Sequence, residues 1–450
     1  MFEPLPQRGG ARRRPTTALV ATVSATALLA AGCSGDGGGG DLDSATAEDP
    51  LEITLYYPIA VGGPLQEVVD DLVADFEEEN PEISVEAVYS GDYDETIVAV
   101  QTAVEGGDAP STSVLLSADM YQLIEDDMIV PFDDVITDDE DREWLDSFYD
   151  GFLENSRDAE GQTWGIPFQR STIVQFWNKD LFDEAGLDPE QAPQTWDEVI
   201  DYGTQVQDEA DARWGVQIPS VGFAYWLYQA LAIQAGTEIV SADGTEVDLT
   251  QPEALEALEY WVDLSEEHGV HPDGVADWGT TPEDFLQGET AMMWTTTGQL
   301  STIVEGAEFD FGVDLLPEGA QRGSPTGGGN FYLFADASED EQIAAMRLIR
   351  FLTEPEQAAQ WSIATGYVAP TPEAWETNLM RDYVEEVPQA EVARDQLDHA
   401  VRELSTYQRG RVYDVINDAL QGALVGDMTP EEALEHAQEQ ADSILAPYQD

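Results

Sequence analysis

One cysteine and one lysine are all that this chain of 450 residues holds of either. A lone Cys33 excludes any disulfide within the chain, whatever the redox state around it, and leaves no thiol free to help build a zinc site. The sole lysine, Lys179, belongs to a wider shortage: 17 basic residues stand against 92 acidic ones. Setting aside the four Arg and one Glu of residues 1–32 leaves 13 and 91, a net charge of −78 on residues 33–450. That balance excludes nucleic acid as a partner, because a phosphate backbone calls for a basic surface. Catalytic signatures are missing too: there is no Gly-x-Ser-x-Gly elbow, no Walker loop and no dinucleotide fingerprint. Of four histidines, His268 and His271 lie in Glu267-His268-Gly269-Val270-His271-Pro272, which reads as a helix end and turn. With so many acids, carboxylate pairs of the kind a glycosidase uses arise by chance and carry no weight. No catalytic residue, metal or cofactor is therefore expected.

What is present points outward from the cell. Arg8 and Arg12-Arg13-Arg14 precede an uncharged stretch from Thr16 to Gly32, rich in Ala, Thr, Val and Leu, that ends at Cys33. A basic start, a short apolar run and small residues before a cut site make an export signal, too short for a spanning helix. Small residues running into a Cys predict lipidation of Cys33 as the new N-terminus of a bacterial lipoprotein. Residues 1–32 are then the signal peptide and residues 33–50, with Gly37-Gly38-Gly39-Gly40 and few apolar side chains, a flexible tether. No later segment is long and apolar enough to cross a bilayer. A hydrophobic content of 42% with 11 Trp, 16 Tyr and 15 Phe speaks for a packed body rather than an acidic disordered chain. A charge of this size repels itself in dilute buffer, and at about 1 M salt the Debye length falls to about 3 Å, so adaptation to high salt is expected.

About 400 residues beyond the tether exceed one core, so two domains are expected. Ile53-Thr54-Leu55-Tyr56-Tyr57 reads as a strand. Leu65, Val68, Val69, Leu72, Val73 and Phe76 recur at helical spacing behind Pro64, Asn80-Pro81 breaks that helix, and Ile83 to Val88 reads as a second strand. This βαβ opening implies a mostly parallel sheet with helices on its faces. Thr195 with Glu198, and Thr429-Pro430-Glu431-Glu432, read as capping boxes. Three stretches read better as ligand contacts than as chemistry. Gly327-Gly328-Gly329-Asn330 lets backbone N–H groups approach a polar ligand, or is a plain turn. Phe223, Tyr225, Trp226 and Tyr228 offer faces that stack on sugar or polyol C–H surfaces, or pack a core. Pro167-Phe168-Gln169-Arg170-Ser171-Thr172 carries one of only twelve Arg residues beyond residue 32, suited to an anion or to a surface ion pair.

The chain resembles the extracellular solute-binding proteins of ABC importers, family 1, and within them most of all the glycerol-3-phosphate-binding branch. The resemblance covers about residues 52–445. It is carried by Phe76-Glu77-Glu78-Glu79-Asn80-Pro81, Gly91-Asp92-Tyr93, Gly107-Asp108-Ala109-Pro110, Asn178-Lys179-Asp180-Leu181-Phe182, Ala185-Gly186-Leu187-Asp188-Pro189, Thr195-Trp196, Gly288-Glu289-Thr290-Ala291-Met292, Thr365-Gly366-Tyr367 and Thr429 to Leu434. It implies an α/β fold of the periplasmic-binding-protein-like type II: two α/β lobes, hinge strands and an interlobe ligand cleft. Lobe 1 is expected at 51–165 plus 291–330, and lobe 2 at 166–290 plus 331–450. Ligand contacts carry over to Tyr93, Ser171, Thr296, Gly328 and Tyr367, and more loosely to Tyr225 and Trp226. Where the branch has a Glu for glycerol hydroxyls this chain has Ser117, with Asp119 two residues on. The branch's late Arg aligns to Tyr413, with Arg409 and Arg411 just upstream, so Arg170 and Arg411 are expected as a phosphate clamp. The expected partner is an ABC permease in the membrane, and the expected cargo glycerol 3-phosphate or a glycerophosphodiester, with a sugar or oligosaccharide as the alternative. A monomer anchored at the outer face of the cell membrane, or periplasmic, completes the expectation; a secreted carbohydrate-active enzyme is the remote alternative.

Overall fold

The computed structural model describes residues 42–61, 65–136 and 139–449. Cys33, the signal and the first part of the tether lie outside them. Residues 42–50 do not trail as a tether: Leu42 and Ala45 pack on a hydrophobic core, and Thr46 pairs with Asp49. Among the described residues no helix is long and apolar enough to cross a membrane.

The opening is the expected unit. Strand β1 (Leu51–Tyr57) buries Leu51, Ile53, Leu55 and Tyr57, the alternation that a half-covered strand requires. The helix Leu65–Glu79 buries Leu65, Val69, Leu72, Val73 and Phe76 on one stripe. It stops before Pro81, where the Asn80 side chain donates to the Phe76 carbonyl at 3.0 Å. Strand β2 (Ile83–Tyr89) then pairs in parallel with β1 along its full length, Leu51 opposite Ile83 and Tyr57 opposite Tyr89.

The remaining strands are β3 (Thr112–Leu116), β4 (Ile129–Val130), β5 (Ile166–Asn178), β6 (Trp214–Gln217), β7 (Thr290–Thr296), β8 (Phe311–Leu315), β9 (Ser324–Phe334) and β10 (Ala400–Val401). The main path runs β2-β1-β3-β9-β5-β7-β6; β4 and β10 pair with β9, and β8 pairs with β5. Pairing is parallel at its two ends and antiparallel in the middle, where β3, β9, β5 and β7 meet. Strand β5 spans 13 residues and every one is buried. Its first half pairs with β9 and its second half with β7 and β8.

Two main cores flank these shared strands. The first gathers Leu51, Phe76, Phe168, Phe331, Phe351 and Trp361; the second gathers Trp177, Trp196, Trp226, Trp261, Trp294 and Leu420. Their membership corrects the expected lobe boundaries. Residues 331–367 side with the first core, because the C-terminal half of β9 enters between β3 and β5 and the next helix (Glu339–Leu352) sets Phe351 edge-on to Phe76 at 5.6 Å. Strand β7 sides with the second through Ala291, Met292 and Trp294, because it pairs with β5 and β6, while Met293, Leu300, Ile303 and Val313 gather with Phe176 and Phe285 in a smaller cluster. The helices Arg409–Leu424 and Pro430–Leu445 pack on the second core.

Helix starts follow the local chemistry. Thr429 and Glu432 form a full capping box. Thr195 caps its helix, but Glu198 reaches back to the Gln194 N–H at 2.7 Å instead of closing the box on Thr195. His271 is buried and accepts from the Ile218 N–H at 3.0 Å, a structural role, and no metal-binding cluster occurs among the described residues.

Candidate functional site

A narrow cavity of about 30 Å³, the chamber of the site, opens between the two cores. Ala60, Val61, Tyr93, Leu116 and Tyr367 form one wall, and Phe223, Trp226 and Trp278 the other. Ser171, Thr296 and Gly328 come from β5, β7 and β9, and Glu403 completes the lining. It communicates through Ala60, Val61, Tyr93, Phe223 and Trp278 with an outer space of about 510 Å³ whose rim carries Asp92, Asp94 and Glu283.

The local sequence places each wall. Asp92 and Glu95 cap the helix Tyr93–Gly106 with a full capping box, which puts Tyr93 at its first turn. The Tyr93 hydroxyl donates to Gln169 Oε1 at 2.7 Å, and the Gln169 amide donates to the Pro58 carbonyl at 3.2 Å. The helix Ala224–Ala235 is apolar all round and wholly buried, so Trp226 is fixed, its indole N–H donating to the Thr326 carbonyl at 2.8 Å. Phe223 meets Trp278 edge-on at 4.9 Å, and Trp226 tilts against Trp278 at 6.3 Å, so three rings make a continuous apolar wall.

The glycine run is strand, not turn. Gly328 holds φ +90°, and a Cβ there would lie 1.8 Å from the Gln169 carbonyl oxygen. A Cβ on Gly327 would lie 2.5 Å from the Trp226 ring. Glycine at 328 thus serves both the backbone conformation and the close approach of β5 and β9. Gly328→Ala is expected to lose more than about 2 kcal/mol of stability, from left-handed strain plus the clash. Urea denaturation checks it; a loss below about 0.5 kcal/mol refutes the argument.

Beneath the chamber lies a buried polar network. The Tyr225 hydroxyl donates to Glu403 Oε1 at 2.7 Å and Ser117 Oγ to Oε2 at 3.3 Å. Arg170, wholly buried, donates through its two terminal nitrogens to Asn330 Oδ1 at 3.2 Å and Thr326 Oγ1 at 3.1 Å, and lies over the Phe152 ring at 5.1 Å. Arg409 pairs with Asp119, also buried. Burial pushes the Glu403 carboxyl up to about 7, against the Tyr225 hydrogen bond and the charges of Arg170 and Arg409. Burial likewise lifts Asp119 to about 6 despite Arg409, and lowers Arg170 to about 10 despite Glu403. Burial works against the charge of Arg409 too, but Asp119 above all outweighs it and holds the guanidinium above its ordinary value.

Six of the expected contacts line the chamber: Tyr93, Ser171, Trp226, Thr296, Gly328 and Tyr367. Ser117 and Tyr225 stand behind it, holding Glu403. Asp119 and Arg170 are engaged with their own partners in the network. Arg411 is a correction. The helix Arg409–Leu424 turns about 100° per residue, and Arg409 points inward to Asp119, so Arg411 lies about 200° round and is exposed. The expected pair of cations facing one ligand is not formed. Sequence reasoning passed over Trp278, which sits beside a glycine as binding-loop aromatics often do, and Glu403, which nothing distinguishes among the other acids.

A cleft between two cores, joined by shared strands and walled by aromatics, hydroxyls and one carboxylate, is the geometry of a receptor for a small solute. Residues 71–389 match the bacterial extracellular solute-binding protein family, and the chain belongs to it. It is 26% identical over 424 residues to the sn-glycerol-3-phosphate-binding periplasmic protein UgpB of Pectobacterium atrosepticum, covering 90% of this chain and 93% of that one. The UgpB of Salmonella paratyphi A is 26% identical over 412 residues, with 87% and 92% covered. Among solved structures, UgpB from Mycobacterium tuberculosis in complex with glycerophosphocholine superposes with a TM-score of 0.77 at 24% identity, over 87% of this chain and 98% of that one. The cyclic alpha-maltosyl-1,6-maltose binding protein from Arthrobacter globiformis gives 0.76 at 23%, over 88% and 100%. Maltose-bound MalE3 of T. maritima gives 0.74 at 23%, over 87% and 99%. These structural likenesses establish the fold, a mixed α/β solute-binding architecture. The protein is the substrate-binding receptor of a bacterial ABC importer, outside the cytoplasm, and not an enzyme.

Proposed function

We propose that this receptor captures a neutral, polyhydroxylated solute, a sugar or oligosaccharide, rather than glycerol 3-phosphate. The observation that carries the reading is the charge balance at the chamber. Arg409 pairs with Asp119, and Arg170 lies near enough to Glu403 to favour its charged form, so the two guanidiniums of the buried network are already matched by two carboxylates. Among the described residues no Lys or Arg lines the chamber or its outer space. A phosphate entering there would be a desolvated anion without a partner, which is strongly unfavourable. A neutral ring instead meets three aromatic faces and the hydroxyls of Tyr93, Ser171, Thr296 and Tyr367.

Solute bridging the walls favours approach of two lobes about the shared strands β5 and β9, a shift driven by differential affinity for the closed form. The lobes we infer are 51–165 with 331–367, and 173–316 with 400–445. Closure presents the loaded receptor to a membrane permease, and a lipid on Cys33 keeps a monomeric receptor at the cell surface. Calorimetric titration in about 2 M salt with maltose, trehalose, glycerol 3-phosphate and glycerophosphocholine tests the cargo. The same salt screens charge contacts, so phosphate binding there requires a desolvated cation. Micromolar binding of a sugar, with no heat from the phosphate ligands, is the expected result; the reverse pattern overturns the reading and favours the cargo named for the UgpB relatives.

A further inference from the structure

We propose that Glu403 is the specificity-determining residue of the cleft: its carboxylate receives two adjacent hydroxyls of a neutral polyol and bars anionic solutes. The inference rests on the neutral-solute reading and deepens it by naming the recognising group and the pattern it reads.

The argument starts from what the carboxylate still has to offer. An ionised carboxylate has about four acceptor positions, two on each oxygen. Tyr225 takes one on Oε1 and Ser117 one on Oε2. One acceptor position remains on each oxygen, on a side chain that lines the chamber and is only 2% exposed. Two parallel acceptors on one rigid group match two neighbouring O–H donors, as on adjacent carbons of a sugar ring. The group is also held in place from its backbone. The Glu403 N–H donates to Asn155 Oδ1 at 2.7 Å, and the Asn155 amide donates back to the Glu403 carbonyl at 3.0 Å. Asn155 is itself tied to Thr326 at 3.3 Å, and through it to Arg170. Such a fixed acceptor pair loses little entropy on binding.

The aromatic wall of Phe223, Trp226 and Trp278 and the Glu403 carboxylate line the same chamber. A sugar ring has an apolar C–H face and a polar rim, so one ring can use both. Anions meet the carboxylate charge in a site where Arg170 is already bonded to Asn330 and Thr326. The groups around Glu403 are Tyr225, Tyr413 and Arg409 from the helices that flank it, Arg170 from β5, Tyr332 from β9, Ser117 and Asp119 from the turn after β3, and Tyr93. Of these only Asp119, raised to about 6, titrates near the same range.

The test is Glu403→Gln in the full protein, titrated in about 2 M salt with glucose, maltose, trehalose, maltotriose, myo-inositol and glycerol 3-phosphate. Gln keeps the shape and one acceptor but turns the other into a donor, and Ser117 can accept from it. Affinity for the polyol that the wild type binds best should fall about 10- to 100-fold, the range for losing a charge-assisted hydrogen bond. Glycerol 3-phosphate should bind the variant at least as well as the wild type. Wild-type affinity for the polyol should also drop as pH is lowered from 8 to 6.5, as the carboxyl takes up its proton, whereas the variant should stay level there. Near-UV circular dichroism and the urea midpoint of Glu403→Gln report directly whether the variant is folded, so a lost affinity is not mistaken for unfolding. Equal polyol affinity in wild type and Glu403→Gln overturns the inference while leaving the neutral-solute reading standing. Binding of glycerol 3-phosphate but of no polyol overturns both.

Discussion

Replacing Arg170 by Met is expected to destabilise the protein by about 2–5 kcal/mol, the range for leaving two buried acceptors unpaired beside a buried carboxylate. The side chain is wholly buried in the middle of β5, and its guanidinium joins β5 to β9 through Asn330 and Thr326. Met fills most of the volume over Phe152, so the loss reflects polar groups left unpaired and a Glu403 charge left without its nearby cation. The pH dependence separates those two parts. Glu403 already titrates near 7 when folded, above its unfolded value, so between the two values the folded state binds more protons and stability falls as pH rises. Without Arg170 the folded value moves higher still. Urea denaturation in about 2 M salt should therefore show a larger loss at pH 8 than at pH 5.5. A loss below about 1 kcal/mol at both, or one independent of pH, would show that the guanidinium is not the counter-charge of Glu403.

Dilution to low ionic strength is expected to unfold the chain altogether. Residues 33–450 carry a net charge of −78. The few cations are committed to individual contacts, such as Arg347 with Glu82 at 2.8 Å, Arg213 with Glu289 at 3.4 Å and Lys179 with Glu190 at 2.6 Å. Exposed pairs of that kind contribute about 0–1 kcal/mol each, too little to offset the repulsion among the remaining carboxylates. At about 0.01 M salt the Debye length is about 30 Å, and repulsion reaches across the whole fold; at about 1 M it is about 3 Å and barely reaches a neighbour. Far-UV circular dichroism should show full helical signal in about 2 M salt and its cooperative loss on dialysis to about 0.01 M. A protein that keeps its full ellipticity in that dilute buffer would sink the salt-adaptation argument.

What the sequence made legible was whatever is encoded locally. The alternation in β1 and the helical stripe from Leu65 to Phe76 each need only neighbours along the chain, and both stand. Contacts placed by resemblance at Tyr93, Ser171, Thr296, Gly328 and Tyr367 meet in one chamber because the family's strand order delivers them there. Arg411 failed because a motif gives position along a helix but not its phase; a two-residue offset from Arg409, about half a turn, decides which guanidinium faces inward. Glu403 stayed hidden because the abundance of acids erases the information any single one carries. The lobe boundaries failed because strand pairing is non-local: Thr112 sits opposite Leu333, and nothing near either residue specifies the other.

That distant pairing also sets when the molecule can fold. The first core begins with Leu51 but is closed by Phe331, Phe351 and Trp361, so a chain emerging from its N-terminus stays incomplete until most of it is available. Closing so long a loop is entropically costly and slow, and local βαβ structure alone cannot hold it. A polypeptide with this wiring cannot complete its first core until Trp361 has been made, so its early segments wait unpacked for the late ones.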